Sequence, residues 1–342
     1  MAVNASTTEE RAPLASLLKQ IAKKPSQEQI VLLITLALLI VFSVTLPGFS
    51  NVANLLNLMR SISILGILGL GMGLIVISRG IDLSAVAIMA GSWSVALIEI
   101  QHGMPVFWAA VTAVAIAVLI GVVNGVMVAF VEAPALFVTL AAGFVIYGAA
   151  FWYAPSWVVY APKPQEAPYL AYLGHNSLFG IPMPIIVFAL AAIGMHLFLS
   201  RTSIGRFIYS QGDNPDTARL AGIMLRPLVV LEYVLVALLS WLAGLVWIGT
   251  TGSMQMAIVQ GTYIFDVILV VVLGGVSLVG GRGGVFSVVV GCALIGTLFN
   301  AFTIMDINSE VQNIIKGVVL LAAIILDNWL HPRDEETARQ GE

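Results

Sequence analysis

The sequence predicts an all-α, polytopic membrane protein of about ten transmembrane helices with both termini cytoplasmic, and three observations carry that prediction. Hydrophobic residues make up 59% of the 342 and charged residues only 10%, with a mean hydropathy of +1.00. A soluble domain carries about 25% charged residues, so this chain cannot cover a water-facing surface. The apolar residues fall in long runs, close to the roughly 20 residues that a helix needs to cross a bilayer core. The basic residues gather at alternate ends of those runs. Soluble enzyme, nucleic-acid binder and disordered scaffold are thereby poor readings.

Taken in order, residues 1–30 form a polar cytoplasmic segment with Arg11, Lys19, Lys23 and Lys24, followed by a first apolar run that resembles an uncleaved span more than a signal peptide. The apolar runs are 31–46, 62–78, 83–101, 106–131, 135–153, 183–200, 228–248, 263–279, 285–303 and 310–329, and residues 331–342 form a cytoplasmic tail. The stretch 49–59 reads as an interfacial amphipathic helix leading into the second run. With both termini inside, Arg79, Arg201, Arg206, Arg219, Arg226, Arg282, Arg333 and Arg339 join the four N-terminal cations on the cytoplasmic side. Only Arg60 and Lys163 fall outside, and Lys316 lies within the last run. The net charge of −3 points to no acidic or basic partner, so no nucleic acid is expected. Cys292 is the single cysteine, and the four histidines have no ligand-like spacing, so neither a disulfide nor a metal site is expected.

Two connections are long enough to make contacts of their own. The outer loop, 154–181, holds Pro155, Pro162, Pro164 and Pro168 with Trp157 and Tyr160. It reads either as a docking face or as a proline-stiffened cap. The inner loop, 201–227, contains a strong helix start, because Asp213 or Asn214 can cap free backbone N–H groups and Pro215 fits the first turn. A short helix over 215–221 follows, stopped by Gly222, with Ala218, Leu220 and Ala221 as a small apolar surface and Asp216 and Arg219 as polar positions. Lying parallel to the membrane, it suits insertion into a cleft on a cytoplasmic protein; the alternative is a solvated surface helix.

Neither glycine-rich segment is a phosphate loop, since none of the five lysines follows a glycine. No ATP site and no bound cofactor are expected on this chain. Gly274, Gly275 and the run 280–284 permit a tight cytoplasmic turn between closely packed spans. Asp82 precedes the third run, where its carboxylate suits the positive end of a helix dipole; substrate contact is the other role open to it. The segments 65–92 and 266–296 share a pattern of apolar helix, glycine-rich break and apolar helix. Charges and amides within spans are expensive and need partners or water. Asp266 and Lys316 read as an ion pair, while Asn124 and Asn300 read equally as interhelical pairs or as the lining of a polar path.

The pattern Gly205-Arg206, Tyr209, Gly212, Asn214 and Thr217-Ala218-Arg219-Leu220-Ala221-Gly222-Ile223 resembles the cytoplasmic coupling loop of the ribose/xylose/arabinose-type permease subunits of bacterial ABC importers. Gly80-Ile81-Asp82-Leu83-Ser84, Asn124-Gly125 and the run 273–283 agree in order and spacing, and the resemblance covers about 31–330. It departs at Arg79, where the family usually has glycine, at Ala85-Val86-Ala87, and in the heavy aromatic run 151–160.

The resemblance implies a non-catalytic, multi-pass subunit of the bacterial inner membrane that passes a pentose-like monosaccharide or polyol. Its implied partners are a periplasmic binding protein, a cytoplasmic ATPase subunit that uses ATP and Mg, a second copy of the chain and the bilayer. It assigns ATPase coupling to Gly205, Arg206, Gly212, Asn214, Pro215, Ala218, Arg219, Leu220 and Gly222. The path or gate falls to Asp82, Asn124, Asn300, Gly274 and Gly275. An ion-coupled secondary transporter and an ABC permease for another small polar solute, such as a branched-chain amino acid, are the alternatives. An intramembrane enzyme would need clustered catalytic groups, which the runs lack.

Overall fold

The computed structural model describes residues 26–163 and 165–330. The predicted cytoplasmic segment up to residue 25, with Arg11, Lys19, Lys23 and Lys24, and the tail 331–342, with Arg333 and Arg339, lie outside the described residues.

Each of the ten apolar runs contains one helix. In order these are α1 (Gln27–Thr45), α2 (Val52–Ile77), α3 (Ala85–Gln101), α4 (Val106–Ala129) and α5 (Ala135–Tyr153). After the outer loop come α7 (Met183–Arg201), α10 (Leu225–Thr251), α12 (Tyr263–Gly274), α13 (Val285–Ile304) and α14 (Ser309–Leu330). Between them lie β1 (Val158–Tyr160), α6 (Pro168–His175), β2 (Ser177–Leu178), β3 (Ile181–Pro182), α8 (Ser203–Asp213), α9 (Pro215–Leu220), β4 (Ser253–Gln255) and α11 (Ala257–Gln260). Seven of the helices are long and apolar enough to cross a membrane, and α3 and α12 are shorter apolar helices. The chain is therefore an all-α multi-pass membrane protein.

α2 is the hub. All residues from Ser63 to Ile77 are buried, as expected of a helix that is apolar on every side. Small residues let neighbouring backbones approach. A Cβ at Gly125 of α4 would lie 2.6 Å from the Val230 Cα of α10, and one at Gly274 of α12 would lie 2.1 Å from the Ser287 carbonyl oxygen of α13. The rim is apolar: Leu33 and Ile40 on α1, Leu119 on α4, Phe137 and Phe144 on α5, Leu190 and Ile193 on α7, and Val318 and Leu321 on α14 are all exposed. Large apolar side chains in that number suit hydrocarbon as their solvent.

Two expectations need correction, and two loops carry structure that the sequence did not announce. The stretch 49–59 is not a separate interfacial helix: Asn51 caps α2 through Ala53 N–H, and the helix runs unbroken to Ile77. The run 263–279 stops being helical at Gly274, because Gly275 takes a left-handed φ of +100° and closes α12. The outer loop is tied down by strand pairing, since β1 pairs antiparallel with β4, placing Val159 opposite Met254. The segment after α10, too short by sequence to fold alone, supplies that partner strand and α11. The inner loop likewise has a full helix, α8, ahead of the expected one.

Candidate functional site

The inner loop begins where Thr202 leaves α7 and caps α8, accepting a hydrogen bond from Gly205 N–H at 3.0 Å. Gly205 is buried because the α7–α8 corner brings the Leu199 carbonyl oxygen within 2.3 Å of any Cβ placed there. The far end of α8 is held from three directions. Arg79 Nε donates to the Gly212 carbonyl at 2.7 Å and Arg79 Nη2 to the Asp213 carbonyl at 2.5 Å. Tyr209 Oη donates to the Gly283 carbonyl at 2.8 Å, and Gln211 Nε2 donates to buried Glu232 on α10 at 3.4 Å. Burial, and then the Glu28 carboxylate, push the Tyr209 phenol up, so it stays protonated as a donor. Gly281 N–H also donates to the Ile77 carbonyl at 2.8 Å, so the breaks that follow α2 and α12 touch at the same point. A Cβ on Gly212 would lie 1.8 Å from the Ile77 carbonyl oxygen and 2.6 Å from Gly281 N.

From this anchored end the chain turns into α9. Asn214 Oδ1 accepts from Thr217 N–H at 2.9 Å, Pro215 occupies the first turn, and Gly222, with φ +84°, closes the helix. The predicted helix 215–221 is thus Pro215–Leu220, with Ala221 as its cap. Its apolar surface differs from the expected one. Ala218 is buried, whereas Leu220 is 89% exposed and Met224 beyond it 77%. The outward face is therefore Leu220 and Met224 flanked by Arg219, whose side chain is 72% exposed. Arg206 is exposed on α8 and bonds Ser203 Oγ at 3.0 Å.

Arg79 was legible only as a departure from glycine. Its φ is +70°, the left-handed conformation that glycine takes freely, and the arginine fills it while reaching across to the end of α8. Arg79→Ala should lose two charge-assisted hydrogen bonds and keep the strained φ, lowering stability by roughly 3 kcal/mol. Arg79→Gly relieves the backbone and should lose about 1 kcal/mol less. Thermal unfolding of the two variants checks the order, and a more stable alanine variant would contradict it.

The predicted path residues fall into three places. Asp82 and Asn124 come together: Asp82 Oδ1 accepts from Ser84 N–H at 2.8 Å and Ser84 Oγ at 2.5 Å, and Asn124 Nδ2 donates to the same Oγ at 2.9 Å. Both are fully buried, and the arrangement braces the start of α3. Gly274 and Gly275 lie in the α12–α13 seam, where Gly275 faces the Gln27 side chain. Asn300, on α13, is elsewhere, joined to Asn54 of α2 by reciprocal amide hydrogen bonds of 2.8 and 2.9 Å. Beside it is a cavity of about 360 Å³ lined by Asn57, Ser61, Tyr263, Asp266, Phe299 and Thr303 among others, most of which the sequence did not single out.

The expected ion pair exists, with Lys316 Nζ 2.8 Å from Asp266 Oδ2 and both side chains largely buried. Lys316→Met leaves that carboxylate uncompensated and should lower stability by about 3 kcal/mol, and adding Asp266→Leu should recover most of it. A Lys316→Met chain that unfolds at the wild-type temperature yet fails to transport would show that the pair is not structural.

A family model described as the branched-chain amino acid transport system / permease component matches residues 54–324. The ribose import permease protein of Escherichia coli strain K12 is 31% identical over 301 residues, 88% of this chain and 94% of its own length. The ribose import permease protein of Haemophilus influenzae is 32% identical over 293 residues, 86% of this chain and 90% of its own. The chain belongs to this permease family. The L-arabinose transport system permease protein of Escherichia coli is also similar, 32% identical over 301 residues, 87% of this chain and 89% of that one. No solved structure matches the permease. With sugar import permeases as its relatives, it is a member of the sugar ABC permease family, and the anchored α8–α9 unit and the cavity beside Asn300 are its two candidate working parts.

Proposed function

We propose that the chain is the membrane subunit of a bacterial ABC importer, passing a pentose-like monosaccharide or related polyol that a periplasmic binding protein delivers. In this reading the chain crosses the inner membrane ten times with both termini cytoplasmic, and two copies form the path. It holds no nucleotide: ATP and Mg are bound by a cytoplasmic ATPase subunit. The family model's description names branched-chain amino acids, but the similar proteins bear the names of ribose and arabinose carriers, which favours sugar.

One observation supports the reading best. α9 presents an exposed apolar and basic tip while α8, directly before it, is bonded to the ends of α2 and α10 and to the turn before α13. Force applied at Leu220 therefore enters the hub helix through backbone contacts rather than through a soft loop. The test is uptake of D-ribose, D-xylose or L-arabinose into proteoliposomes holding the assembled importer. ATP should be required, and an ionophore that collapses every gradient should leave the rate unchanged. Uptake that vanishes with the gradient while ATP persists would replace this reading with ion-coupled transport.

The outer loop has the properties of a docking face. Its backbone is fixed by the β1–β4 pairing, while Tyr169 is 79% and Phe179 96% exposed. Interface anchors are commonly such aromatic residues, each worth about 2 kcal/mol when truncated. Tyr169→Asp with Phe179→Asp should weaken the binding protein's stimulation of ATP hydrolysis by roughly tenfold or more, leaving unstimulated hydrolysis alone. Full stimulation would place docking elsewhere.

A further inference from the structure

The cavity beside Asn300 lies where the N-terminal halves of α2 and α12 meet the C-terminal half of α13. Its rim carries polar side chains. Asn57, Ser61 and Thr303 are exposed there. Ser61 Oγ and Thr303 Oγ1 donate to carbonyls of their own helices and Asn57 Oδ1 accepts from Arg60, which leaves the hydroxyl lone pairs for water or solute.

The hydrogen-bonding capacity left over is specific. Asp266 is 4% exposed and lines the cavity; Oδ2 is taken by Lys316, and Oδ1 is buried with no hydrogen-bond partner. Lys316 is itself occupied, paired with Asp266 and lying 4.2 Å from the centroid of the Phe299 ring. Asn300 keeps one N–H and one acceptor lone pair beyond its bonds to Asn54. Tyr263 and Phe299 add aromatic surface. The ion pair is neutral as a unit, so nothing here selects a charged solute. A vacant carboxylate oxygen, a half-used amide, hydroxyls and ring faces together match a small neutral molecule rich in hydroxyl groups.

We infer that this cavity is a weak monosaccharide subsite belonging to the permease itself, in which Asp266 Oδ1 accepts a sugar hydroxyl and the Asn300 amide takes a second. The inference rests on the reading of the chain as a sugar permease. It adds that this chain, and not the binding protein alone, contributes to the choice of solute.

The test is saturation-transfer NMR on the full chain in nanodiscs, with D-ribose, D-xylose and L-arabinose as separate millimolar probes and L-leucine as comparator. Saturation should reach the ring protons of at least one pentose and not L-leucine. It should fall about tenfold in Asn300→Ala, the loss expected for one polar contact. It should also fall in Asp266→Leu with Lys316→Met, a pair that removes both charges together and so preserves the balance. Thermal unfolding of that double variant in the wild-type range keeps the comparison valid; if it unfolds early, Asn300→Ala, which leaves the ion pair intact, carries the comparison alone. Transfer to no pentose, or transfer undiminished in the variants, overturns the subsite. Uptake by the assembled importer separates the two levels. Normal ATP-driven sugar uptake with no subsite binding leaves the reading standing and the inference fallen, whereas a wild-type importer that moves no sugar removes both.

Discussion

Gly212→Ala is expected to abolish ATP-driven uptake. The added Cβ would meet the Ile77 carbonyl oxygen at 1.8 Å and Gly281 N at 2.6 Å, both backbone atoms that cannot rotate away. Relieving the clash means separating α8 from the end of α2, the contact that Arg79 and the Gly281-to-Ile77 hydrogen bond maintain. Overpacking of this kind costs about 3 kcal/mol or more, which leaves roughly one molecule in a hundred correctly seated. Gly222→Ala is the control. It carries a φ of +84° but has open space around it, so only the strain of about 1 kcal/mol applies. Uptake and thermal unfolding should place Gly212→Ala far below Gly222→Ala. Equal behaviour of the two would mean that the α8–α2 contact is not needed.

Arg219→Glu combined with Leu220→Asp is expected to uncouple the importer without unfolding it. Leu220 is 89% exposed and the Arg219 side chain 72% exposed, so neither supports the fold. Both nevertheless stand at the tip of a helix whose inner side, at Ala218, is buried against the bundle. A buried apolar anchor beside a basic group is worth about 2 kcal/mol at an interface, so affinity for the ATPase subunit should fall roughly 30-fold. Co-purification of the two subunits reads that loss directly. Retained assembly with full uptake would show that α9 is not where force enters.

That the apolar runs form helices was legible because hydrophobic runs bounded by charge or turn residues leave little choice of structure. The α9 caps were legible for a local reason: Asn214, Pro215 and Gly222 act on backbone groups within four residues of themselves. The Asp266–Lys316 pair could be anticipated because two opposite charges within spans must find each other. What could not be read is the anchoring of α8. Arg79 and Gly212 are 133 positions apart, and nothing local to either announces the other. The one signal was an arginine standing where glycine is usual. The inward turn of Ala218 was hidden for a related reason, since a six-residue helix presents no repeating pattern that tells inside from outside. The cavity was hidden too: Asn300 was singled out, but Asn57, Ser61, Tyr263 and Thr303 lie on three helices that only tertiary packing brings together.

The central claim is that this chain has no energy source of its own and is moved by an ATPase gripping α9. The most direct measurement is sugar accumulation in proteoliposomes containing the purified chain alone, with a sodium or proton gradient imposed and ATP supplied on both sides. The account predicts no accumulation above equilibrium until the ATPase subunit and the binding protein are added. Uphill accumulation by the chain alone would contradict it.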